Sequence, residues 1–163
     1  MNYYLLFKLI HVTAVILFLG NVFTGLFWMH QAHTTKDLTI IHHTIKALIR
    51  SDQFFTIPGV IVITAAGVVS ALQAHYPLLR TGWILWSIVL FSLSGVVFAW
   101  KLVPLQKKLK QITHISDNDA LSFDWSHYAK LYRAWERWGL IAIVTPIAAL
   151  VLMVLKWPTK ALF

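Results

Sequence analysis

The first residue in this chain that invites chemistry is an imidazole set among lipid-soluble side chains. His11 stands in Lys8-Leu9-Ile10-His11-Val12, inside an apolar run from Tyr3 to about Trp28. An ionisable side chain in hydrocarbon is costly, so its presence there argues for function by default. Three roles suit it: a neutral histidine hydrogen-bonded to another helix, an axial ligand to haem iron, or a proton-relay group. Residue type alone does not choose among them. At heptad spacing Lys8, Val15 and Val22 form one row of the helix and His11, Phe18 and Gly25 the next, which points His11 toward the bundle.

The remaining seven histidines divide by position. His75 ends the second apolar segment on the same side as His11, so the two could pair, although an interfacial loop position explains His75 as well. His30, His33, His42, His43, His114 and His127 all lie near the opposite side. His30 and His33 are three apart and would bracket a metal if helical. His42 and His43 diverge on a helix and make a poor pair. Solvated or headgroup-facing positions account for all six.

Acids are scarce, six in 163 residues. Asp37, Asp117, Asp119 and Asp124 fall in connections, whereas Asp52 and Glu136 stand at the mouths of apolar segments with Arg50, Arg133 and Arg137 at the same level. Two arrangements follow: a structural ion-pair cluster, or an anion-binding mouth in which the arginines take a carboxylate or phosphate. The propionates of a tetrapyrrole would suit such a mouth. Nucleophilic catalysis finds no Gly-x-Ser-x-Gly elbow and no Ser-x-x-Lys. Phosphate-cradling glycine loops are absent. There is no cysteine, and the three methionines are scattered, which argues against copper handling.

These residues must be held by something, and composition says what. The chain is 58% hydrophobic and 12% charged, with a mean hydropathy of +0.69. Soluble domains carry about 25% charged residues, so a membrane protein is expected. The net charge of +8 sits between long apolar runs, where it orients a membrane protein rather than binding nucleic acid. Crossing about 30 Å of hydrocarbon takes roughly 20 apolar residues. Four spans qualify, at about 4–28, 54–74, 82–103 and 139–155, in a single domain. The N-terminal segment reads as a retained helix rather than a cleaved leader. Arg50-Ser51-Asp52 reads as the start of the second helix, and Pro146 should kink the fourth.

The connections are a polar, histidine-rich stretch from Met29 to Gln53, a short turn at Pro77, and a basic stretch from Pro104 to Trp138. Within the last, Ser122 to Trp138 should form an amphipathic helix leading into the fourth span. Its apolar stripe is Tyr128, Leu131, Tyr132, Trp135 and Trp138, expected along the interface or running straight into the membrane. Ten lysines and arginines fall on the side of the two long connections and four on the other. The positive-inside rule then puts both termini outside the cytoplasm. Trp28, Trp100, Trp135 and Trp138 at one level, and Trp83, Trp86 and Trp157 at the other, read as interfacial belts. Gly20, Gly25, Gly67, Ser92, Ser94 and Gly95 are expected at helix contacts, because small residues let helices approach.

Several short motifs together resemble an uncharacterised group of bacterial four-helix integral membrane proteins known as a domain of unknown function. They are Lys8-x-x-His11, then Asp52-Gln53-Phe54-Phe55-Thr56-Ile57-Pro58, then Gly82-Trp83-Ile84-Leu85, and Met153-Val154-Leu155-Lys156. The resemblance implies a multi-pass protein of the bacterial inner membrane. More distantly the layout is similar to CopD-like proteins and HemJ-type protoporphyrinogen oxidases. The latter pair Lys-x-x-His in helix one with Tyr-Arg entering the last helix, where this chain has Tyr132-Arg133. That resemblance implies b-type haem, with His11 as iron ligand and Tyr132 and Arg133 as further cofactor contacts. The chain departs from the oxidase pattern in having Glu136-Arg137 after Tyr-Arg, and neither Lys nor His between Gly82 and Trp100. Three functions are expected in turn: a haem-associated redox protein, a non-catalytic partner of another membrane protein, or a small-solute or proton permease working as an oligomer such as a homodimer.

Overall fold

The computed structural model describes residues 3–114 and 123–161, so Ser122, Asp117 and Asp119 lie outside the described residues. Four long helices follow one another: α1 (Tyr3–Thr35), α2 (Leu38–Gln73), α3 (Gly82–Ile112) and α4 (Trp125–Leu155). All are long and apolar enough to cross a membrane. The four-helix membrane bundle read from composition is therefore the fold, with no strand among the described residues. At 1.5 Å per residue the helices are about 46–54 Å long, well beyond the hydrocarbon thickness. They project past the apolar spans at the histidine-rich end.

That projection corrects the reading of the connections as loops. Met29 to Gln53 is almost entirely helical, interrupted only by a turn at Lys36 and Asp37, where Lys36 takes a left-handed φ of 55°. Asp37 caps α2, its carboxylate accepting from the Thr39 amide at 2.8 Å and the Ile40 amide at 3.2 Å. The helix thus starts twelve residues before the Arg50-Ser51-Asp52 sequence expected to open it. A side-chain cap satisfies the orphan amides of a first turn, and Asp37 supplies one. The helix expected ahead of the fourth span is present: α4 runs unbroken from Trp125 into the membrane, capped by Asp124 on the His127 amide at 2.9 Å.

Packing differs between the two halves. Along the membrane, α1 lies chiefly on α2 and α3 on α4. Few apolar residues of the spans are buried there: Leu9, Ile16, Phe23 and Phe27 of α1 all face outward, as lipid-facing residues should. At the projecting end a denser core forms from Met29, Ile41, Ile45, Leu109, Tyr128 and Trp135. The Tyr128–Trp135 stripe is its centre. Tyr128, Tyr132 and Trp135 are buried, so the stripe faces the other helices rather than an interface, and Trp135 is no belt residue. Trp28, Trp100 and Trp157 remain exposed as expected.

Contacts within the membrane are polar and close. Ser94 Oγ donates to the Ala142 carbonyl at 2.6 Å, and Ser87 Oγ to Ala149 at 3.1 Å. The first bond has a definite cause. Pro146 has no N–H, so the carbonyl four residues back, that of Ala142, loses its helical donor; Ser94 supplies one from α3. Of the small residues expected at contacts, Gly67 meets His11, Gly25 meets Leu48, and Ser94 is buried. Gly20 and Gly95 have open space beside them and Ser92 is exposed. Small size permits approach, and the phase of the helix decides where it happens.

Two helices carry the same local distortion. A π turn at Asp52–Thr56 draws the Ile57 amide back to the Asp52 carbonyl, and one at Phe98–Leu102 draws Val103 to Phe98. Each ends two residues before a proline, Pro58 or Pro104. A proline ring inside a helix collides with the carbonyl four residues earlier, and the wider π turn makes room for it. Pro58 therefore lies in the middle of α2, not in its opening turns.

At the other end, the chain after α4 folds over the start of α3. The Gly82 amide donates to Thr159 at 3.4 Å and the Ala161 amide to Arg80 at 3.1 Å. Gly82 lies against the carbonyls of Pro158 and Lys160 so closely that a Cβ has no room.

Candidate functional site in the bundle

The π turn of α2 places Asp52 on the inside of the bundle. Its carboxylate is held by three side chains from three helices' worth of sequence. Thr56 Oγ1 donates to Oδ1 at 2.7 Å, Gln106 Nε2 to Oδ2 at 2.8 Å, and Asn21 Nδ2 to Oδ1 at 3.4 Å. Asn21 Nδ2 also donates to Thr56 Oγ1 at 2.9 Å. Ser51 Oγ donates to Asn21 Oδ1. Buried polar groups in a membrane must be satisfied by one another, and this cluster does so without a cation.

The cluster opens onto a cavity of about 70 Å³ between the helices, room for a few water-sized groups. Apolar side chains including Phe18, Phe91 and Phe98 form its walls, and Trp135 closes one side. Trp135 is 4% exposed, and its Nε1–H has no hydrogen-bond partner. An unmade bond on a buried donor costs about 1–3 kcal/mol. Both π turns border the same space.

The expected ion-pair cluster does not form. Among the described residues the one ion pair is His30 Nδ1 with Glu136 Oε1, at 3.6 Å. Arg50, Arg133 and Arg137 are exposed, and Arg133 Nε donates to the Ala129 carbonyl of its own helix at 3.3 Å. The phase of α4 turns Arg133 and Arg137 outward while Tyr132 and Glu136 face α1.

There a second constellation assembles. Tyr132 OH donates to Glu136 Oε1 at 3.0 Å and lies 3.3 Å from His30 Nδ1. His33 Nδ1 meets Tyr128 OH at 3.2 Å, and its ring stacks on Tyr132 with centroids 3.9 Å apart. His30 and His33 thus engage tyrosines, and no group of three metal-binding side chains exists among the described residues. Burial lowers the pKa of His33, with Lys36 pushing the same way. Burial also lowers that of His42, helped by His114. Tyr128 and Tyr132 are pushed upward by burial.

His11 is partly buried, and its Nδ1–H donates to the Ile63 carbonyl of α2 at 2.8 Å. A carbonyl only accepts, so Nδ1 carries the proton of this bond. Gly67 permits the contact, since a Cβ there would come within 2.9 Å of Nδ1. His75 lies twelve residues beyond Ile63 at a left-handed φ of 59°, exposed, and does not pair with His11. Nor does the fold bring His11 to Tyr132 and Arg133. Tyr132 bonds His30, nineteen residues along α1 from His11, a distance of about 28 Å. His11, Tyr132 and Arg133 are therefore not one cofactor cradle.

Sequence reasoning noticed Asp52 and missed its partners. Asn21 and Gln106 are neutral, and nothing in their spacing ties them to Asp52. The signal available was the pair of prolines six residues after Asp52 and Phe98.

Four apolar helices with a polar cluster between them define an integral membrane protein with an internal polar site. The chain belongs to the family described as predicted integral membrane protein (DUF2269), which it matches over residues 5–157. No curated protein and no solved structure matches it.

Proposed function

We propose that the protein is a proton or small-solute permease whose working group is Asp52. The observation that carries this is a carboxylate inside the bundle, beside a cavity, with no lysine or arginine paired to it among the described residues. Intramembrane acids without a fixed cation are the usual carriers of protons and ions. The ring of neutral donors from Asn21, Thr56 and Gln106 holds the carboxylate in place in either protonation state. Four helices make a small transporter, so the working unit is an oligomer, a homodimer being the simplest. It would sit in the bacterial inner membrane with the histidine-rich end in the cytoplasm.

The test uses proteoliposomes with an internal pH-sensitive dye and a potassium-diffusion potential. Wild type should acidify the lumen faster than protein-free liposomes, and Asp52→Asn should fall to that leak while His11→Ala does not. Equal rates for wild type and Asp52→Asn overturn the reading.

A second reading is favoured by His11. With Nδ1 held by a carbonyl, Nε2 is the free donor, the arrangement typical of metal-binding histidines. Given the similarity to HemJ-type oxidases, b-type haem is the group to try, and it would supply redox chemistry with His11 holding its iron. The visible spectrum of protein expressed with haem supply decides. A Soret band lost in His11→Ala supports it, whereas no band, or one unchanged in the variant, removes it.

A further inference from the structure

Resting on Asp52 as the working site, we infer that the cluster around it binds one alkali-metal cation, of which sodium is the natural test. The side chains that meet there are one carboxylate, two hydroxyls and two carboxamides: Asp52, Ser51, Thr56, Asn21 and Gln106. Every one offers a hard oxygen. Zinc, copper and nickel favour imidazole or thiolate, and no histidine lines this cavity. Calcium sites draw on several carboxylates, and here there is one. A single negative charge among neutral oxygens complements a single positive charge.

The hydrogen bonds within the cluster show how its side chains balance one another's charge. Two amide –NH₂ groups, of Asn21 and Gln106, point at the carboxylate and stand in for positive charge. Each amide presents its carbonyl oxygen instead when it turns over about its last bond. Exchange of amide hydrogens for a cation then needs no change of backbone. The cavity beside the cluster has room for water retained by the ion. The position on α2 suits the role too. Membrane helices interrupted from regular α geometry recur at sodium sites, and Asp52 begins a π turn.

The experiment measures thermal unfolding of the full chain in detergent, prepared in choline chloride and titrated with sodium chloride at constant ionic strength. A saturable rise in Tm with sodium, absent with choline, is expected. Thr56→Val keeps the shape and the carboxylate, and should shift the sodium midpoint about tenfold upward, the loss of roughly one good ligand bond. Asp52→Asn should abolish the response. A Tm indifferent to sodium overturns the inference, as does a rise that Thr56→Val and Asp52→Asn leave unchanged. The two proposals fail separately. Asp52-dependent proton flux in sodium-free buffer without any sodium-linked Tm removes the cation and keeps the permease. Saturable sodium binding with no flux does the reverse.

Discussion

Single residues in this chain are legible in proportion to how unusual they are. An imidazole and an acid in apolar surroundings stand out from composition, and both His11 and Asp52 make specific bonds inside the bundle. Their partners were not legible. The partner of His11 is a backbone carbonyl, which every residue has, and those of Asp52 are neutral amides and a hydroxyl with no pattern of their own. Arg133 misled because charge suggests pairing, while its direction depends on a helical phase that only packing fixes. His33 shows what packing does to a titratable group. Its folded pKa lies below the ordinary 6.5, first through burial and then through Lys36, with Glu136 opposing and His30 adding to the fall. The unfolded chain therefore takes up the proton first as pH falls. The stabilising contribution is complete above about 6.5 and is lost as pH drops below it toward the folded value. Thermal unfolding in detergent from pH 8 down to pH 5 should show a Tm falling in acid, and His33→Gln should flatten part of that fall by a few degrees. His42 shifts the same way, so part of the slope remains. Identical slopes in wild type and variant would remove His33 from the account.

Elements were read well where the lipid dictates them and poorly beyond it. The spans near 4–28, 54–74, 82–103 and 139–155 fall within α1 to α4 because hydrophobic length is a physical requirement of the bilayer. The helical extension ahead of the fourth span was legible from its apolar stripe, whereas that between Met29 and Gln53 escaped because histidine, threonine and lysine there resemble a loop. Their helicity is maintained by a buried stripe, Ile41 and Ile45 on α2 against Leu109 and Tyr128. Asp37 ahead of Leu38 was an available cap signal, and it competed with the equally cap-like Asp52. The small residues show the same limit. Ser94 found its place because Pro146 left a carbonyl to satisfy, a relation between two helices that neither sequence segment states.

At the scale of the molecule, two regions of different character are stacked along the bundle. A loosely packed, lipid-facing half carries His11, and a densely packed half carries the tyrosines, with the Asp52 cluster at their junction. The ten-to-four distribution of basic residues predicts that the tyrosine-bearing half faces the cytoplasm, and the chain offers a clean test because it lacks cysteine. Single-cysteine variants at exposed Leu79 and exposed Lys107 should react oppositely with a membrane-impermeant maleimide. Leu79→Cys should label in spheroplasts, and Lys107→Cys only after permeabilisation. The reverse pattern would turn the protein over in the membrane and place the Asp52 cavity nearer the outer face.

The π turns also bear on what the chain can tolerate in length. A π turn holds one residue more than the α-helix it interrupts, and one residue turns a helix by about 100°. Between Asp52 and Thr56 that residue sets the rotational phase of all that follows in α2, down to Ile63 beneath His11 and Gly67 beside it. Removing one residue there would restore regular winding and at the same time swing Ile63 and Gly67 away from α1. The Asp52 cluster and the His11 contact, far apart along the axis, are thus tied through residue count: substitutions change them one at a time, whereas a single deletion changes both.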